Sequence, residues 1–218
     1  EIAKEFEWYK PWRTVCSGDF NELNMKWFDG GKVNISVNAL DRHAKNQGDK
    51  AALLFEANDP KTPTQEITYK ELLEKVCQFS NVLKDQGIQK GDVVCFYMSM
   101  VPELLIGALA CARIGAIHSV VFGGFSPEAL AGRIIDCDSK LVITADQAVR
   151  GGKAIPLKAN VDAALEKVDV DAVLVINHTD TEITMKEGRD HWYHEVSEDV
   201  SDDCPCEPMN AEDPLFIL

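Results

Sequence analysis

Apolar residues along this chain switch repeatedly between the spacing of a helix face and the short runs of a buried strand, and each switch marks an element. Over residues 36–46, Val37, Leu40 and Ala44 share one helical face. Ala51–Phe55 reads as a strand, 58–64 with two prolines as a turn, and 67–69 as a second short strand. Thr68 followed three residues later by Glu71 is a capping box. It opens a helix through Leu72, Val76, Phe79 and Leu83, which Gly87 closes. Residues 92–97 form a buried strand, and Pro102 opens the apolar helix ELLIGALACARIG, closed by Gly115. A strand over 116–122 leads through Gly123, Gly124 and Phe125 to a helix over 126–136. The segment 141–145 is a strand, 158–167 a helix, and Ala172–Ile176 a strand again.

Strands alternating with helices of about ten or more residues need right-handed crossovers, and so predict an α/β, doubly wound parallel sheet. Ahead of it, Phe6, Trp8, Tyr9, Trp12, Phe20, Trp27 and Phe28 follow no period. They read as an extended aromatic-rich arm pinned over the body by its rings. The chain divides accordingly into an arm, 1–35, and a body, 36–218. After Asn177 the pattern weakens: 181–203 is acidic with one helix around 191–196, and CPCEPMNAEDP reads as a connector. Leu215, Phe216, Ile217 and Leu218 then begin a buried strand, from which a longer parent protein is expected.

Charge removes some functions. The formal net charge of −14 and pI near 4.7 repel nucleic acid and anionic lipid, excluding a general nucleic-acid binder, while a few placed cations still suffice for a phosphate. No apolar run is long enough to span a bilayer, and EIAKEFEWYKPWRT lacks the basic start and apolar core of a secretory signal. Seven cysteines are dispersed, with Cys77, Cys95 and Cys111 inside apolar patterns. That usage suits a reducing, cytoplasmic compartment better than a disulfide framework.

Two glycine pairs are candidate anion sites. In Phe122-Gly123-Gly124-Phe125 the backbone can approach a ligand where a helix begins, although every crossover also needs a tight turn there. In Arg150-Gly151-Gly152-Lys153, two cations flank two glycines after the strand LVITA, at the edge where open α/β sheets bind ligands. A solvated basic turn explains it equally. Neither has dinucleotide-fingerprint or P-loop spacing. His191, His194, Cys204 and Cys206 fit no common zinc spacing. His118 reads as core packing, His43 as an exposed or capping contact, and no Ser–His–Asp or paired-carboxylate site can be drawn.

Longer stretches carry a resemblance. WFDGGKVNISVNALDRH, KGDVVCFYMSMVPELLIGALACARIGAIHSVVFGGFSPEALAGRI, LVITADQAVRGGKAIPLKANVD and PMNAEDPLFIL are similar to the AMP-forming acetyl-CoA synthetases of the adenylate-forming superfamily, from about Trp27 to Leu218. The resemblance implies a ligase that joins acetate to ATP as acetyl-adenylate, releasing pyrophosphate, and then transfers the acetyl group to CoA. ATP, CoA and Mg2+ are the implied cofactors, and acetate the substrate. The carboxylate pocket, ATP phosphate loop, catalytic lysine and C-terminal lid domain of that family all lie beyond the last residue given, so no catalytic residue is assigned. What carries over is the CoA side: Phe122, Gly123 and Gly124 line its nucleotide site, and Arg150, Gly151, Gly152 and Lys153 match a loop whose first arginine binds the CoA 3′-phosphate. Many members have arginine where this chain has Lys153, which retains a point charge without a bidentate fork. Arg113, Arg133 and Asp136 take structural roles. The resemblance implies no metal site within the chain and a cytoplasmic location, or a nuclear one as well in a eukaryote. Propionyl-CoA synthetase, or a non-catalytic CoA- or nucleotide-binding module, are the alternatives.

Overall fold

A computed structural model describes residues 1–59 and 61–218; the turn expected over 58–64 contains Pro60, which lies outside the described residues. The arm begins with a 3-10 turn, Ile2–Glu5, and then forms a hairpin that the aperiodic aromatic pattern had not indicated, β1 (Thr14–Ser17) against β2 (Lys26–Asp29). Trp8, Trp12 and Phe28 pack on one another with ring centroids 4.9 to 5.5 Å apart. Phe6, Tyr9, Phe20 and Trp27 are exposed, so three rings rather than seven form the cluster that pins the arm. The Asn38 side-chain amide adds a two-point clamp, accepting from the Glu7 backbone N–H at 2.8 Å and donating to its carbonyl at 3.0 Å.

After β3 (Lys32–Val33), the expected helix over 36–46 is a π-helical turn, Val37–Asp41, running into α1 (Arg42–Gln47). β4 (Ala51–Phe55) and β5 (Gln65–Thr68) form an antiparallel hairpin outside the main sheet. α2 (Tyr69–Asp85) starts at the capping box: the Thr68 N–H donates to Glu71 Oε2 at 2.8 Å, and the Glu71 N–H to Thr68 Oγ1 at 3.3 Å.

The wound part follows. β6 (Val93–Met98) is buried throughout, α3 (Pro102–Ile114) ends at Gly115, and β7 (Ile117–Phe122) precedes α4 (Pro127–Asp136). β8 (Ser139–Ala145) leads into a hairpin of β9 (Ala148–Arg150) and β10 (Lys153–Ile155), then α5 (Leu157–Ala164) and β11 (Ala172–Ile176). β12 (Asp190–Trp192), α6 (Tyr193–Val196), β13 (Met209–Asn210) and β14 (Phe216–Ile217) complete the described elements.

Six parallel strands make the main sheet, in the order β12-β11-β8-β6-β7-β14. The chain leaves β6 through α3 to β7 on one side, then returns past β6 through α4 to β8 on the other. Right-handed crossovers therefore place α3 and α4 on opposite faces. α2 packs with α3, and α4 with α5. Side chains of β6 alternate to match: Phe96 lies beneath Gly107 of α3, while Tyr97 points to the α4–α5 face. The doubly wound parallel sheet is as expected, and β6 and β8 flank its switch point.

Two segments of the acidic C-terminal part also differ from the sequence expectation. His191 and Trp192, expected in a helix over 191–196, belong to β12, and α6 covers four residues only. The cause is a buried charge network. The fully buried Lys158 ammonium reaches Asp190 at 2.8 Å and Asp162 at 2.7 Å, and Arg189 pairs with both carboxylates, drawing the segment onto the sheet edge. The expected connector contains β13, which pairs with β3 back at the arm. Arg113, buried on α3, serves as a structural anchor: it holds Asp41 through two bonds of 2.8 and 3.0 Å and donates to the Cys204 carbonyl.

Candidate functional site

The segments carrying the two glycine pairs both lie beyond the carboxyl ends of strands, β7 and β8. Phe122 ends β7, and Gly123-Gly124 turn the chain toward α4, whose first turn is capped by Ser126 Oγ accepting from the Ala129 N–H at 3.3 Å. The backbone N–H of Glu128 itself, then the Ser126 hydroxyl, hold the Glu128 carboxyl below its ordinary range, a sign that the helix start favours negative charge. Gly123 is required by space: a Cβ there would sit 2.8 Å from the Met98 carbonyl oxygen and 3.2 Å from Leu157 Cδ2.

The RGGK segment, expected as a loop, is the tip of the β9–β10 hairpin. Gly151 and Gly152 have φ of 56° and 73°, the left-handed pair of a type I′ two-residue turn, and Arg150 and Lys153 face each other across it. Among the described residues, nothing lies within 4 Å of where side chains at Gly151 and Gly152 would begin. Asn58 steadies the hairpin by donating to the Val149 carbonyl at 2.9 Å.

Arg150 brings the two segments together. Its Cζ lies 5.0 Å from the Phe122 ring centroid, and a guanidinium nitrogen lies 3.9 Å from where a Cβ on Gly124 would be. Phe125 meets Phe122 edge to face at 6.1 Å. Phe122 is 54% exposed and Phe125 41% exposed, so the aromatic faces remain available to a ligand. A cation held over an exposed ring, beside glycine turns, is an arrangement that can take a phosphate and a planar group together. Lys153 shares the hairpin tip.

Several residues behind this edge had no sequence signal. Tyr97 is fully buried, donates to the Phe125 carbonyl at 2.7 Å and accepts from Asn160 on α5 at 3.1 Å. Burial pushes its phenol up, against a smaller opposing effect of the Asn160 bond. Asp146, directly after β8, is fully buried and accepts from the backbone N–H groups of Gln147, His178, Thr179 and Thr181 and from the Thr179 hydroxyl. Burial opposes its ionisation, yet these bonds outweigh it and hold the carboxyl below the usual range. The motifs themselves were visible, but, the adjacent Gln147 aside, these supports act across 28 to 63 residues.

The remaining candidates do not gather. Among the described residues, no three His, Cys, Asp or Glu side chains are placed to hold a metal ion. His191 lies in β12, while Cys204 is buried against the Lys84 ammonium at 3.1 Å. His118 packs between Phe96 and Phe216 on neighbouring strands, as its apolar strand suggested. An apolar groove of about 420 Å³ runs between arm and body, walled by Phe6, Trp8, Ile35, Met209 and Leu215 among others. None of the seven candidate site residues lines it.

The family described as "AMP-binding enzyme" matches residues 40–218. This chain belongs to that family. The family described as "Acetyl-coenzyme A synthetase N-terminus" matches residues 1–39. Among curated relatives, acetyl-coenzyme A synthetase 2 of Pseudomonas putida is 54% identical over 100% of this chain and 34% of its own length. Acetyl-coenzyme A synthetase of Bdellovibrio bacteriovorus is 53% identical with the same coverage. The chain thus spans about a third of the length of the curated relatives it matches. The solved acetoacetyl-CoA synthetase from Streptomyces lividans superposes with a TM-score of 0.86 at 22% identity, covering 100% of this chain and 32% of that one, so the two share this α/β fold. No described helix is long and apolar enough to cross a membrane.

Proposed function

We propose that this chain forms the CoA-binding side of an AMP-forming acetate–CoA ligase. In that reaction the acetate carboxylate attacks the α-phosphate of ATP, and pyrophosphate leaves. The CoA thiol then attacks the acyl carbon of acetyl-adenylate, and AMP leaves. Adenylation turns a carboxylate, a poor acyl donor, into a mixed anhydride with a good leaving group.

The observation that carries the reading is Arg150 seated on Phe122, in a chain that shares about half its residues with acetyl-CoA synthetases. Arg150 offers a fork of donors to the 3′-phosphate of CoA, and Lys153 adds a point charge across the turn. Gly151 and Gly152 keep the tip clear, and Phe122, Gly123 and Gly124 wall the nucleotide. None of these residues reacts. ATP and acetate belong to the part of the longer protein that the relatives possess, together with a C-terminal domain that closes on the site. Mg2+ would accompany ATP there. The described residues offer no carboxylate cluster that fits it, so no step here runs through the ion. Dispersed, unpaired cysteines support a reducing, cytoplasmic compartment, and the net charge of −14 disfavours nucleic acid and anionic lipid as partners.

The test is ATP–pyrophosphate exchange by the full-length protein with acetate and with propionate, followed by the KM for CoA of Arg150→Ala. Acetate-driven exchange and a KM for CoA raised about tenfold or more, the worth of one charge-assisted bond, are expected. The stretch TADQAVRGGKAIPLK favours acetate, and exchange with propionate alone would move the protein to the sister enzyme. Absence of exchange with either acid from a folded protein would leave only a binding module.

A further inference from the structure

The hairpin carrying Arg150 and the turn carrying Phe122 come from different crossovers, yet a single buried phenol joins their supports. Tyr97 projects from the central strand β6 to the α4–α5 face. Its hydroxyl donates to the Phe125 carbonyl in the turn, at 2.7 Å, and accepts from the Asn160 amide on α5, at 3.1 Å. α5 follows the hairpin after Pro156 alone, so the position of its first turn sets where β10 ends. The first residue of α5, Leu157, is also the side chain pressed against Gly123. The strand end itself is held in turn: Thr144 on β8 donates its hydroxyl to the Tyr97 carbonyl at 2.8 Å. The chain from Arg150 through α5, Asn160, Tyr97 and Phe125 back to Phe122 is therefore closed, and the 5.0 Å cation–ring contact is its last link.

We propose that Tyr97 and Asn160 are positioning residues for CoA. They fix the separation between the Arg150 hairpin and the Phe122 turn, and so hold the phosphate ligand and the aromatic wall at one spacing. The inference rests on the reading of these two segments as the CoA site. Neither residue needs to touch the ligand. Tyr97 stays a neutral donor throughout the working range because burial disfavours the phenolate. Tyr97→Phe keeps the ring that fills the core and deletes only the hydroxyl, leaving the Phe125 carbonyl and the Asn160 amide to move independently.

The experiment uses the full-length protein and compares Tyr97→Phe, Asn160→Ala and Arg150→Ala. The readouts are the KM values for CoA, acetate and ATP, kcat, and the rate of ATP–pyrophosphate exchange, which needs no CoA. Tyr97→Phe is expected to raise the KM for CoA about three- to tenfold, the worth of one buried hydrogen bond. Its KM for acetate and ATP, and its exchange rate, should stay close to those of the parent. Asn160→Ala should shift the KM for CoA in the same direction by less. If Arg150→Ala raises the KM for CoA but Tyr97→Phe does not, the brace is wrong while the site stands. If Tyr97→Phe raises all three KM values or lowers exchange equally, it acts as general scaffold and the proposal is overturned. If Arg150→Ala leaves CoA unaffected, the CoA reading of the hairpin fails and takes the brace with it. Should Tyr97→Phe not fold, Asn160→Ala decides by the same split.

Discussion

Asp146 offers the sharpest test of how this sheet edge is held. Its Oδ1 accepts from the N–H groups of Gln147 at 2.7 Å and His178 at 3.0 Å. Its Oδ2 accepts from the Thr179 N–H at 2.9 Å, the Thr179 hydroxyl at 2.7 Å and the Thr181 N–H at 3.0 Å. Asp146→Asn preserves shape and removes charge, but its amide nitrogen must face donors whichever way the group turns. With the nitrogen in place of Oδ1, the Gln147 and His178 N–H groups lose their acceptor; in place of Oδ2, the Thr181 N–H does, since the Thr179 N–H also reaches Oδ1 at 3.2 Å; the rest exchange a charged partner for a neutral one. With about 1–3 kcal/mol for each unsatisfied buried group, partly relieved by local relaxation, a net loss of about 2–4 kcal/mol is expected. Urea unfolding of the purified protein near pH 7 reads this directly, and a pH series adds the sign. The carboxyl sits lower folded than unfolded, so the unfolded chain takes up the proton first as pH falls. The stability from Asp146 is therefore complete above the unfolded value of about 3.9 and is lost as pH drops through the folded value. Asparagine has nothing to titrate, so the two stability curves should converge in acid. A variant within about 0.5 kcal/mol of the parent, or curves that stay parallel into acid, would refute the reasoning.

Other consequences are as specific. Gly123→Ala puts a Cβ 2.8 Å from the Met98 carbonyl on the central strand, which cannot yield. A loss of about 1–3 kcal/mol should appear as a lowered Tm, and an unchanged Tm contradicts it. Asn38→Ala deletes both bonds to the Glu7 backbone, so limited trypsin digestion after Arg13 should speed up by about tenfold while the body resists; equal rates would show the clamp to be idle. Burial pushes the His118 imidazole down, so folding favours its neutral form and the unfolded chain protonates first, near pH 6.5. The parent should lose stability as pH falls through that value toward the folded one, and His118→Leu should flatten that slope in urea midpoints between about pH 7 and 5.

What could be read in advance depended on how local its cause was. The Thr68–Glu71 capping box, the Gly115 helix stop and the apolar runs of β6, β8 and β11 are set by neighbours within a few positions, and each stands where the pattern put it. β12 was missed because its cause is distant: Asp190 is held by Lys158, 32 positions earlier, and no periodicity records a buried ion pair. The arm hairpin carries no alternation because neither of its strands has a fully buried residue. At the site, both glycine pairs could be picked out by composition, but that Arg150 lies over Phe122 follows from the order of strands. Asp146 and Tyr97 looked like any acid after a strand and any aromatic within one. Their importance lies in partners that the fold alone brings near.

The pairing of β3 with β13 bears on how the protein is made. Asn34, beside β3, donates to the carbonyls of Ala112, Arg113 and Glu207, the last across 173 residues of sequence. During synthesis the arm emerges first and its Trp8–Trp12–Phe28 cluster can form at once, yet its seat on the body is unfinished until Met209 and Asn210 leave the ribosome. Until then the apolar wall beneath the arm stands uncovered, and a chaperone that recognises exposed aromatic and aliphatic surface would meet this chain before its own later segment does.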